Sequence, residues 1–138
     1  MKKIIIGFFA ITTLFACTNT DKKVITTPTV DPKTLTSIKF DKDIYDFGKI
    51  MQGDKVSYAF IFKNTGKVPL IISNATATCG CTVPNWPKEP IKPGANGKID
   101  VVFNSTGKKG LQDKVITVIA NTDPAENKVH LIGEVIKK

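Results

Sequence analysis

From Ile38 onward apolar and polar residues alternate with a period of two, not the 3.6 of a helix, and β-branched and aromatic side chains fill the runs. That pattern predicts strands. The clearest extends from Lys55 to Lys63, where Val56, Tyr58, Phe60 and Phe62 share one face while Lys55, Ser57 and Lys63 lie on the other. Asn64-Thr65-Gly66 then ends it as a turn. A second strand, Lys98 to Phe103, turns Ile99, Val101 and Phe103 inward after a Pro93-Gly94 turn. Val115 to Ala120 is apolar on both faces apart from Thr117, the mark of a central strand. Ile38 to Phe40, a bent strand from Tyr45 to Ile50, Leu70 to Ser73 and Val129 to Ile136 complete the set. About seven strands at this spacing predict an all-β sandwich. Its buried stripe is expected to hold Tyr58, Phe60, Phe62, Ile99, Val101, Phe103, Val129, Leu131 and Val135.

The first residues follow a different rule. Lys2 and Lys3 precede an apolar run from Ile4 to Leu14 that is too short to span a bilayer as a helix. Leu14-Phe15-Ala16-Cys17 resembles the bacterial lipobox, in which the cysteine is acylated and the peptide before it is removed. The expected organisation is a signal peptide over 1–16, a flexible tether over 17–36 and one sandwich domain over 37–138. The tether segment carries threonines, two prolines and alternating charge, without apolar periodicity. As a flexible chain it would hold the domain on the order of 25 Å from the membrane. The expected location is the bacterial cell envelope, lipid-anchored, on the outer membrane facing the periplasm. Thr18-Asn19-Thr20-Asp21 lacks the acidic run expected of a surface-export signal.

The formal charge of +8 arises from 20 basic residues against 12 acidic ones, and every basic residue is lysine. Bidentate reading of guanine or phosphate is arginine chemistry, so nucleic acid is not an expected partner. The lysines are spread along the domain and read as a solvated surface.

Cys79 and Cys81, separated only by Gly80, are the unusual functional groups. Residues i and i+2 of a regular strand lie roughly 6.6 Å apart, too far for a disulfide, and Gly80 permits the bend that would close the distance. Three readings stay open: a tight disulfide, a dithiol for redox exchange, or a soft ligand pair for copper(I) or zinc. Intermolecular bonding is a fourth. Met51 and His130 are the other soft or imidazole groups of the expected mature chain, and His130 reads as outward-facing. Asp41, Asp43 and Asp46 lack the glycine and terminal glutamate of a calcium loop and read as solvated turn residues. With one histidine and no nucleophile motif, the chain is not expected to be an enzyme. Trp86, in the proline-rich Pro84-Asn85-Trp86-Pro87, is a candidate binding anchor or a cap over the cysteines.

Tyr45-Asp46-Phe47-Gly48, Phe62-Lys63-Asn64-Thr65-Gly66, Pro69-Leu70-Ile71-Ile72, Cys79-Gly80-Cys81-Thr82 and Pro93-Gly94 occur in that order. Together they resemble the bacterial domain-of-unknown-function family numbered 1573, common among lipoproteins and secreted proteins of the Bacteroidetes type. The resemblance covers roughly Lys39 to Val135, with Cys-Gly-Cys-Thr followed by Trp86-Pro87 as its specific part. It implies an immunoglobulin-like, seven-stranded sandwich near the major sperm protein and hydin modules, in an envelope setting. No activity comes with it. The expected function is a membrane-anchored, non-catalytic binding or assembly module for an envelope protein or glycan, with metal handling or thiol redox at Cys79 and Cys81 as the alternative.

Overall fold

Eight strands form in the computed structural model, which describes residues 32–137. They are β1 (Ile38–Phe40), β2 (Ile44–Met51), β3 (Lys55–Asn64), β4 (Ile72–Ala77), β5 (Thr82–Asn85), β6 (Asn96–Asn104), β7 (Gly110–Ala120) and β8 (Glu126–Ile136). Two four-stranded sheets result, ordered β1-β3-β6-β5 and β2-β8-β7-β4. All pairings are antiparallel except that of β2 with β8. The all-β sandwich therefore stands, with eight strands in place of seven.

The added strand is β5, inside the segment that reads as a proline-rich loop. Asn104 N donates to Cys81 O across the β5–β6 ladder at 2.8 Å, so hydrogen-bonded pairs recur at every second residue from there. Pro84 falls between such pairs, and its nitrogen faces the free edge. A proline is tolerated there because no ladder bond is lost, and it leaves that edge without a donor for a further strand. Strand ends also shift: β4 begins at Ile72 rather than Leu70, and β7 and β8 begin at Gly110 and Glu126, ahead of the predicted starts. Leu70 instead bridges Ile91 outside the named strands.

Alternation sets the core. Phe60, Phe62, Ile99, Val101, Phe103, Val129, Leu131 and Val135 are buried, as their strand parity predicts, and Ile116 and Val118 of β7 join them. Tyr58 is the exception and is only half-buried. It lies toward the rim, where Tyr45 of the opposite sheet stacks on it with ring centroids 3.6 Å apart. Gly97, paired with Phe62 across β3 and β6, lies where any side chain would strike the Phe62 ring.

The end of the expected tether is docked on the domain. Pro32–Thr34 form a 3-10 turn, and Thr36 is buried, its N donating to Asn121 O at 2.9 Å and its Oγ1 to Asn64 Oδ1 at 2.7 Å. Residues 32–36 thus pack with the sandwich, ahead of the boundary at 37. Cys17 and the signal segment lie outside the described residues.

Candidate functional site: the disulfide corner

The chain leaves one sheet and enters the other between β4 and β5, an edge strand of each. Four residues make that crossing, Thr78 to Cys81. Thr78 N still bonds Val115 O on β7, and Asn104 N already bonds Cys81 O on β6, so the segment is pinned to both sheets. Thr82 N donates to Cys79 O at 3.2 Å and closes a four-residue turn. The turn brings the Cα atoms of Cys79 and Cys81 to 5.3 Å, inside the range a disulfide requires, and their sulfurs are bonded. Gly80 is exposed at the apex. The buried Thr82 places Oγ1 3.8 Å from Cys79 Sγ and 4.0 Å from Cys81 Sγ.

Cys81 also borders a shallow, open depression of about 350 Å³ on the outer face of the β1-β3-β6-β5 sheet. Val83 and Val102, neighbours across the β5–β6 ladder, form its apolar floor and are 62% and 41% exposed. Lys55, Lys108, Asn104 and Thr106 surround it, and no acidic residue lines it. Sequence spacing does not bring these residues together: the grouping exists only once β5 is laid beside β6 and β6 beside β3.

A third lysine lies close to this corner. Ala77 pairs with Ile116, and Thr78 N bonds Val115 O, so Lys114 is the next residue of β7 beyond the point where the chain leaves that sheet. Lys114 Nζ lies 5.5 Å from the Phe103 ring centroid, within reach of a cation–π attraction. Burial lowers the Lys114 pKa from the ordinary lysine value, Lys108 lowers it further by like-charge repulsion, and Asp113 opposes both.

The other singled-out residues are placed elsewhere or differently. Trp86 is half-buried against the core, with Lys88 Nζ 3.1 Å from the centre of its ring, so lysine covers a face of the indole. Its Nε1 is buried and has no hydrogen-bond partner. His130 Nδ1 lies 3.0 Å from Asp113 Oδ1 on the outer face of the second sheet. Met51 ends β2, where its carbonyl accepts from Ser105 Oγ. Asp46 Oδ1 accepts from Gly48 N at 2.7 Å, a local turn contact. Among the described residues no three His, Cys, Asp or Glu side chains converge on a common metal position.

Two packed four-stranded sheets with one parallel edge pair, β2 on β8, define an immunoglobulin-like sandwich. The chain belongs to the family of proteins of unknown function designated DUF1573, whose model matches residues 38–135. Solved structures agree on the fold. A protein of unknown function from Porphyromonas gingivalis W83 is similar with TM-score 0.66 and 16% identity, over 79% of this chain and 51% of that one. The chain thus spans about half of that protein. The ASH/PapD-like domain 7 of human CEP192 is similar with TM-score 0.61 and 11% identity, over 96% of this chain and 99% of that domain. The YadV chaperone follows with TM-score 0.50 and 15% identity, over 72% of this chain and 51% of that one. A search of curated proteins returns no match. At these identities the likeness extends to the fold alone.

Proposed function

We propose that the chain is a lipid-anchored module of a bacterial cell envelope, acylated at Cys17, held on the outer membrane and facing the periplasm. In this reading it is non-catalytic and recruits an envelope protein with an acidic, partly apolar surface. The carrying observation is the unequal charge of the two outer faces. By strand parity the first sheet turns Lys39, Lys55, Lys63 and Lys98 outward with Asp100, paired to Lys98 at 3.0 Å, as its acidic residue, around the exposed Ile61, Val83 and Val102. The second turns Asp46, Asp113, Glu126 and Glu134 outward against Lys49 and Lys128, which pair with Glu134 at 3.1 Å and with Glu126 at 3.7 Å. A cationic face around an apolar centre favours an acidic partner by charge complementarity and by the area it offers for burial.

Two experiments test the reading. Cys17→Ser is expected to move the protein from the membrane fraction to the soluble one. An unmutated protein that stays soluble without detergent and keeps its N-terminus intact would refute the anchor. A photo-crosslinking residue at Val102 in living cells is expected to give a protein adduct, lost when Lys39, Lys63 and Lys98 are changed to Glu. The same probe at Thr117, on the outer face of β7, should give none. Adducts to glycan, or equal yields from the two positions, would overturn the assignment of the binding face.

A further inference from the structure

The crossing between the sheets places a disulfide where a solute can reach it. Cys81 borders an open depression, Gly80 is exposed beside it, and Lys55 and Lys108 line the same depression without an opposing carboxylate. Cys79 lies on the other side of the bond, with the Thr82 hydroxyl 3.8 Å from its sulfur. Three features of thiol exchange are thus present together. An entering thiolate has access, positive charge attracts it, and the leaving sulfur has a hydroxyl near it to stabilise negative charge. The bond is also weakly favoured by chain entropy. It closes a loop of three residues, for which the entropic gain is about half that of a 15-residue loop.

We infer that the Cys79–Cys81 disulfide is a thiol–disulfide exchange site that oxidises an acidic protein dithiol. In the first step a thiolate of the partner attacks Cys81 Sγ. A bond forms between the two proteins, the Cys79–Cys81 bond breaks, and its electron pair goes to Cys79 Sγ, which leaves as a thiolate. In the second step the partner's other thiol, after losing its proton, attacks the partner sulfur of the mixed disulfide and releases Cys81. Two electrons have then passed from the partner dithiol, now a disulfide, to Cys79 and Cys81, which take up the two protons. The lysines select a partner whose thiols lie among carboxylates. The exchange is stoichiometric, one partner dithiol per protein disulfide, so it stands beside a non-catalytic binding role, and it does not rest on the tether, since an untethered Cys17→Ser chain carries the same corner.

The test uses the full chain and two dithiol peptides that differ only in having glutamates or lysines beside their cysteines. Mass spectrometry after acid quench and alkylation follows both the loss of the protein disulfide and the gain of the peptide disulfide. The glutamate peptide is expected to be oxidised in step with reduction of Cys79 and Cys81, and faster than the lysine peptide. Changing Lys55 and Lys108 together to Gln should slow the glutamate peptide about fivefold, the order expected of two unit charges acting through water, and leave the lysine peptide unslowed. Salt near 1 M should remove most of the difference. An unchanged near-ultraviolet circular dichroism spectrum shows that the variant is folded. Absence of peptide disulfide with a natively folded protein would overturn the exchange site, and equal rates for the two peptides would overturn the choice of an acidic partner.

Discussion

Phe60→Ala is expected to lower the unfolding free energy by about 3–5 kcal/mol, the range for emptying a packed aromatic site. Phe60 is fully buried at the middle of β3, paired with Ile99 across the β3–β6 ladder. Its ring also meets Tyr58 edge-on at 4.8 Å, and Tyr58 stacks on Tyr45 of the opposite sheet. Truncation therefore opens a cavity and loosens an aromatic chain that joins the sheets, so little collapse can refill it. The loss would take a large share of the roughly 5–15 kcal/mol that stabilises a typical domain. Urea melts compared at constant slope give the value. Coincident midpoints for the variant and the parent would show that Phe60 is not a core residue.

Strand parity is what makes this core legible in the sequence. A half-buried strand has one face to fill, so the spacing Val56, Tyr58, Phe60, Phe62 predicts its own orientation, while Val115 to Ala120 is marked instead by apolar residues on both faces. The method falters where the pattern carries no contrast. β5 is four residues long and contains Pro84, which reads as a breaker unless one knows that its nitrogen lies on a free edge. Residues 32–36 show no alternation because they dock through one buried threonine and backbone bonds instead of an apolar face. Tyr58 has the right parity but lies where β3 is the sheet's edge, since β1 pairs only with residues 62–64, and parity says nothing of which strands flank a residue.

The site was less legible than the fold, for a related reason. Cys79 and Cys81 stand out by chemistry and spacing alone. Lys55, Lys108 and Val102 do not, because a lysine or valine on an outer strand face, or a lysine in a loop as Lys108 is, looks the same wherever it falls. Their relation to the cysteines depends on the sheet order β3-β6-β5, a tertiary fact with no local signature. Trp86 shows the converse. Its rarity marks it as a candidate anchor or cap, and the structure packs it partly against the core with Lys88 over its ring.

Asn64 gives the second large effect, and it shows a polar residue carrying structure. Asn64-Thr65-Gly66 reads as a surface turn, but Asn64 is the last residue of β3 and is fully buried. Its Nδ2 donates to Val68 O at 2.8 Å and Ile91 O at 2.9 Å, while Oδ1 accepts from Thr36 Oγ1 at 2.7 Å and Gly66 N at 3.1 Å. A primary amide has two donor hydrogens and two acceptor lone pairs, and here each is used. Asn64→Ala leaves these groups without their partner in a site closed to water, so a loss of about 3–4 kcal/mol is expected. Asn64→Asp tests the polarity of the site at nearly constant volume. Its carboxylate keeps the acceptors but turns an oxygen toward two carbonyls, and charge buried without a partner is costlier than a void, so Asp should destabilise more than Ala. Thr36→Val removes a single donor and should lose only about 1 kcal/mol. Urea melts of the three variants should therefore rank Asp below Ala, and Ala below Val. Because Thr36 is where the leading segment meets the sandwich, both Asn64 variants should also speed proteolysis within residues 32–36. If Asn64→Ala melts with the parent, or Asn64→Asp is the milder change, the amide is not the buried hub that ties this segment to the fold.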